Sequence, residues 1–154
     1  MNLMGITIKF KKVNPDIGNV LPPPRYATPG AAGIDLVASI KEPVMVNPRE
    51  RVMIPTGLAV DIPDRGIVGL VFPRSGLSAR FGIALANAVG VIDSDYKGEI
   101  ICPVQNNGDQ PYEIRPGDRI AQLLFLPVLQ VKIAYTDRLS DSARGEGGFG
   151  STGR

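Results

Sequence analysis

Five short segments of the chain carry side chains able to do chemistry, and none of them uses histidine, which the chain lacks. The densest runs from Asn87 to Gly98, Asn87-Ala88-Val89-Gly90-Val91-Ile92-Asp93-Ser94-Asp95-Tyr96-Lys97-Gly98. Asp93 follows two apolar residues, and burial against them would raise its pKa into the working range of a general base. Tyr96 stands three residues on, with a ring suited to a sugar-like ligand. A polar β-turn is the plainer reading of the same residues, and Asp93 with Asp95 supplies only a fragment of a calcium loop. Pro73-Arg74-Ser75-Gly76-Leu77 sits where a strand hands over to a helix, so free N–H groups and a guanidinium there suit an anion.

The other three segments are weaker alone. Gly33-Ile34-Asp35-Leu36 sets a carboxylate at the start of a strand. In Arg119-Ile120-Ala121-Gln122-Leu123, alternation turns Arg119 and Ala121 one way and Ile120 and Gln122 the other. Gln122 among core-facing neighbours then needs a hydrogen-bond partner in backbone, water or ligand. From Arg144 to Gly153 the chain is Gly-rich and fits G-x-x-x-x-G-x-T, but Ser151 stands where a Walker loop requires Lys. What remains is a strip of backbone donors with Arg144 and Phe149, able to fold over a phosphorylated, ring-containing ligand.

Absences narrow the chemistry. Without histidine, Ser-His-Asp and Cys-His sites are excluded, and one cysteine, Cys102, makes neither a zinc site nor an internal disulfide. A single Cys in the apolar run Ile100 to Val104 reads as core packing and suits a reducing, intracellular, cytoplasmic setting. The 17 Lys+Arg against 15 Asp+Glu give a formal charge of +2, too balanced for a protein that grips nucleic acid by its phosphates. No apolar run approaches a membrane span, and no signal peptide is visible at Met1. Phosphate contacts, a carboxylate base, a positioned amide and an aromatic cap together point to a nucleotide phosphohydrolase.

The elements that must hold these residues are short. With 18 Gly and 14 Pro in 154 residues, long helices are excluded and an all-β chain is expected. Strands are read at Ile6–Val13, Ile34–Ala38, Arg51–Val60 with a bend at Pro55 and Gly57, Ile67–Phe72, Ile83–Ala86, Glu99–Val104, Tyr112–Ile114, Arg119–Leu126 and Val128–Ala134. One helix is expected from Ser75, as its cap, to Gly82. Such strands build a sandwich, jelly roll or barrel. Residues 1–136 read as one β domain and 137–154 as a flexible Gly-rich tail.

Together, Ala32-Gly33-Ile34-Asp35-Leu36, Pro73-Arg74-Ser75-Gly76-Leu77, Gly90 to Glu99, Arg119 to Leu123 and Arg144 to Ser151 resemble, in order and spacing, the five motifs of trimeric dUTPases. The resemblance covers about Ala27 to Gly153. It implies a jelly-roll-like β-barrel, assembled as a homotrimer with active sites between subunits, and hydrolysis of dUTP to dUMP and pyrophosphate with Mg2+ on the triphosphate. By the same resemblance Asp93 is the base, Gln122 orients the attacking water, and Arg74, Ser75 and Gly76 meet the phosphates. Asn87, Gly90, Val91 and Ile92 form the wall that reads uracil, Tyr96 packs on deoxyribose, and Lys97 belongs to the substrate-binding set. Phe149 stacks on uracil when the tail closes, with Arg144, Gly150, Ser151 and Thr152 reaching the phosphates. Asp35 lies near the metal, through water.

Ile34, Ser78 and Lys97 depart from the commoner residues of that pattern; Lys97 keeps the charge of the usual Arg and loses its planar fork. A dCTP deaminase on the same scaffold is disfavoured, because Asp93 and the full tail match the hydrolase motifs. A non-catalytic regulatory member of the scaffold is the other alternative. No membrane or nucleic-acid partner is expected.

Overall fold

The computed structural model describes residues 5–148. Eleven strands and one short helix are found among them, so the all-β expectation holds. In chain order these are β1 (Lys9–Lys12), β2 (Ile34–Val37), β3 (Val44–Val46), β4 (Arg51–Pro55), β5 (Leu58–Asp61), β6 (Ile67–Pro73), α1 (Ser75–Phe81), β7 (Ile83–Leu85), β8 (Gly90–Ile92), β9 (Ile101–Asn106), β10 (Tyr112–Ile114) and β11 (Arg119–Pro127). All strand pairs are antiparallel, in four small sheets ordered β1-β5, β10-β3, β2-β11-β6-β8 and β4-β9-β7.

One apolar core unites these sheets. Leu36, Val46, Ile54, Leu58, Val71, Ile83, Ile92, Val104, Ile114 and Leu123 are buried in a single cluster, with Phe10 of β1 packed against it. Truncating Leu123, fully buried at its centre, costs about 2–5 kcal/mol by lost transfer energy and the cavity left behind. Cys102 is core as read from its neighbours, and burial pushes its thiol up to about 12. Buried Asn106 donates to the carbonyls of Val46 and Gln110 and accepts from Gly108 N–H, so its burial leaves nothing unpaired.

Several local expectations change. The run expected over Arg51–Val60 is two strands in different sheets, broken at Thr56-Gly57, where Gly57 has φ of 70°. The helix starts at Ser75 with Arg74 in the cap position and no side-chain cap bond, so Ser75 is not the cap. It ends at Gly82 in the left-handed region, as expected. Ser78 ties it to β7 by donating to the Ile83 carbonyl at 2.9 Å. Strands β3 and β8 are not among those read from the sequence; they pair with β10 and β6.

No strand forms over Val128–Ala134. Its apolar residues find no partner edge among the described residues: Leu129, Val131 and Ile133 are 88%, 76% and 82% exposed. An alternating pattern makes a strand only where a ladder receives it. Among the described residues, no helix is long and apolar enough to cross a membrane.

Candidate active site

The four-stranded sheet brings three of the five segments together. Gln122 on β11 lies opposite Asp35 on β2 and, on its other side, opposite Phe72 on β6. Pro73 ends β6 and leads straight into Arg74, Ser75 and Gly76 at the start of α1. Asp35, Arg74, Ser75, Gly76 and Gln122 thus line one open cavity of about 450 Å³. The Asp35 carboxylate is divided between two guanidinium groups, Arg74 Nε at 3.3 Å and Arg119 Nη1 at 3.2 Å. With Arg74 and Arg80 against the single carboxylate of Asp35, the described lining of the cavity carries net positive charge, which suits an anionic ligand.

Arg119 reaches Asp35 by a route that alternation hides. Between Arg119 and Ala121 the register slips by one, leaving Ile120 as an extra residue on β11. The bulge brings Arg119 and Gln122 to the same side of the sheet although alternation separates them, and Arg119 therefore reaches Asp35. It also corrects the expected facing of Gln122. Ile120, Ala121 and Leu123 are buried, whereas Gln122 is half-buried toward the cavity. Its Nε2 donates to the Pro73 carbonyl at 3.1 Å, and a Cβ at Gly33 would stand 2.9 Å from its Oε1. Gly33 is glycine because the amide comes that close.

Asn87, Gly90, Val91, Ile92, Asp93 and Tyr96 line a second cavity, of about 370 Å³, walled by apolar groups of Met53, Leu85 and Ile101. Strands β7 and β8 do not pair with each other; β7 joins β9 and β8 joins β6, so the Asn87 turn spans two sheets rather than closing a hairpin. Within it Ala88 adopts φ of 60°, a strained conformation for a residue with a Cβ. Asp93 is exposed at the cavity rim, so the expected burial is not provided by the described residues. Tyr96 N–H donates to the Asp93 carbonyl at 3.1 Å, closing the turn. The Tyr96 hydroxyl donates to the Glu99 carbonyl at 2.8 Å, and its ring lies over Gly98, where a Cβ would stand 2.6 Å from the hydroxyl oxygen.

Lys97 is not brought to either cavity. Its ammonium donates to Asp61 at 2.7 Å and to the Ser94 carbonyl at 2.8 Å. The Lys97 hydrogen bond and charge hold the Asp61 carboxyl below the usual carboxylate range. Arg144 is exposed in a turn of the tail, donating to the Gly147 carbonyl, and lines neither cavity. Phe149, Gly150, Ser151 and Thr152 lie outside the described residues. No group of three or more His, Cys, Asp or Glu among the described residues could hold a metal ion.

The two cavities divide the chemistry: one has cations and a positioned amide, the other apolar walls, a carboxylate and an aromatic ring. They share no lining residue. The dUTPase family model matches residues 20–153. The chain is 51% identical to the deoxyuridine 5'-triphosphate nucleotidohydrolase of Desulfitobacterium hafniense, across 96% of this chain and 97% of that one. It is 50% identical to the enzyme of the same name from Tolumonas auensis, across 96% and 97%. Its fold superposes on that of the Staphylococcus bacteriophage 80alpha dUTPase with dUPNHPP, with TM-score 0.85, 28% identity, and coverage of 96% and 99%. Matched by the family model from residue 20 to 153 and by curated relatives over nearly its whole length, the chain belongs to the dUTPase family.

Proposed function

We propose that this protein hydrolyses dUTP to dUMP and pyrophosphate at sites built between the subunits of a homotrimer. The observation that carries this reading is the division of the site residues into two cavities, each holding half of what a nucleoside triphosphate needs. A second copy can supply the missing half to each. The unpaired apolar run Leu129–Ile133 supports assembly, since it needs a cover that this chain does not provide. Hydrolysis of dUTP limits uracil in DNA and supplies dUMP for thymidylate synthesis, a task for the reducing cytoplasm that the lone buried Cys102 suits.

In this mechanism the uracil and deoxyribose enter the Asn87–Tyr96 cavity. The backbone of Gly90, Val91 and Ile92 and the Asn87 amide read the base edge. Rejecting dCTP follows from reversed donors and acceptors, which leave buried groups unpaired. Rejecting dTTP needs a clash, because one methyl in a tolerant pocket is worth only about 1–3 kcal/mol. The Tyr96 ring packs on the sugar and leaves no room for a 2′-hydroxyl. Arg74, Ser75 and Gly76 receive the phosphates.

Asp93 accepts a proton from water as the water oxygen bonds to the α-phosphorus, and the bond from that phosphorus to the bridging oxygen breaks to release pyrophosphate. Gln122, anchored on the Pro73 carbonyl, has its carbonyl oxygen left to orient the water. Exposure of Asp93 within one chain is consistent with a base buried only when a neighbouring subunit and the tail close over it. Phe149 stacks on the base in that closed state, and Arg144, Gly150, Ser151 and Thr152 add phosphate contacts.

The residues fit Mg2+ carried on the triphosphate and not in a protein cage, because Asp35 is the one carboxylate lining the phosphate cavity and both its oxygens already face guanidinium groups. Asp35 would hold it through water. Bound there, the ion neutralises phosphate charge and polarises the reacting phosphoryl group. The deciding experiment incubates the protein with dUTP, dCTP, dTTP and UTP plus Mg2+ and follows pyrophosphate and ammonia separately. Pyrophosphate from dUTP alone is expected; ammonia from dCTP would place the chemistry with the deaminases.

A further inference from the structure

We propose that Lys97 is a positioning residue: with Asp61 it fixes the turn that carries Asp93 and Tyr96, and it makes no contact with the nucleotide. The inference rests on Asp93 being the base. It departs from the expectation that Lys97 binds substrate.

The turn from Asp93 to Glu99 is fastened along β5 and Gly57, the residue that leads into it. At one end, Glu99 Oε1 accepts from Gly57 N–H at 2.7 Å, and Ile100 N–H donates to the Leu58 carbonyl at 2.8 Å. At the other end, Lys97 Nζ donates to Asp61 Oδ1 at 2.7 Å. Leu58, Ala59 and Val60 are buried and paired with β1, so this strand is a rigid support. Lys97 also donates to the carbonyl of Ser94, the residue next to Asp93, at 2.8 Å. One ammonium therefore joins the centre of the turn to the end of β5.

Tyr96 is held separately, by its hydroxyl on the Glu99 carbonyl. Among the described residues, without Lys97 the segment Asp93-Ser94-Asp95 keeps only the Tyr96 N–H to Asp93 carbonyl bond across the turn. Lys97 and Asp61 are 51% and 55% exposed, and exposed ion pairs of this kind add little to folding stability. The effect of the pair is on the geometry of a carboxylate, where small displacements are costly.

The test compares the full chain with its Lys97→Ala, Asp61→Ala, Lys97→Ala/Asp61→Ala and Lys97→Arg variants, measuring kcat, KM for dUTP and Tm with Mg2+ present. Each Ala variant is expected to lose about tenfold in kcat, with KM within about twofold and Tm unchanged. The double variant is expected to match the singles, and Lys97→Arg to restore most of the loss. A raised KM with intact kcat in Lys97→Ala, with Asp61→Ala silent, would make Lys97 a substrate contact and overturn the proposal. So would wild-type kinetics in every variant. An Asp93→Asn control in the same assay tests the base assignment by itself, so failure of the pair and failure of the base are separate results.

Discussion

Arg119 and Asp35 meet at 3.2 Å because β11 bulges at Ile120. The same carboxylate holds Arg74 at 3.3 Å, so Asp35 links the end of β11 to the segment that opens α1. A residue that would otherwise point away from Asp35 thereby pairs with a carboxylate that lines the cavity.

Replacing Arg119 with Ala removes one of the two cations on Asp35 and frees Arg74 to pair more closely with the remaining anion. The expected result is a KM for dUTP raised about tenfold, a loss of about 1.4 kcal/mol in binding, with Tm little changed. Steady-state kinetics and a thermal melt decide it; an unaltered KM would remove Arg119 from the site.

Asp93→Asn keeps the size of the side chain and removes the proton acceptor. Turnover is expected to fall about 10²–10⁴-fold, while a non-hydrolysable dUTP analogue binds nearly as well. Calorimetric titration beside a pyrophosphate assay separates the two. Retained turnover would exclude Asp93 as the base.

Gly98→Ala sets a Cβ 2.6 Å from the Tyr96 hydroxyl oxygen and 2.8 Å from Cζ. The ring must move, and with it the barrier to a 2′-hydroxyl. The preference for dUTP over UTP, measured as a ratio of kcat/KM values, is expected to fall about tenfold, a change of about 1.4 kcal/mol. An unchanged ratio would show that Tyr96 does not read the sugar.

Cys102 gives a pH signature. Burial pushes its folded thiol up to about 12, so the folded state keeps a proton that the unfolded state loses. Its contribution to stability is complete below pH 9 and lost as pH rises toward 12. Relative to Cys102→Ala, the protein's unfolding free energy is expected to decline in that window by up to about 1.4 kcal/mol per pH unit. Denaturant titrations at pH 8, 10 and 11 measure this, and parallel curves for the two proteins would refute it.

Much of this protein is legible before folding is considered. The absence of histidine removes whole classes of nucleophilic site, and Gly and Pro density leaves room only for short elements. The chemistry-bearing types of Asp35, Arg74, Asp93, Tyr96 and Gln122 follow from local segments, because residue type and close spacing are properties of the chain alone. So do the long strands β6 and β11, whose apolar runs are long enough to show.

Other features depend on partners distant in sequence. The bulge at Ile120 is a feature of the pairing between β11 and β2, and it is this register that turns Arg119 toward Asp35. Lys97 looks like a substrate cation until Asp61, 36 residues away, is seen beneath it. Val128–Ala134 alternates like a strand, yet no edge among the described residues receives it. A sequence states which groups are available; backbone ladders and packing decide which face each one occupies and what it meets there.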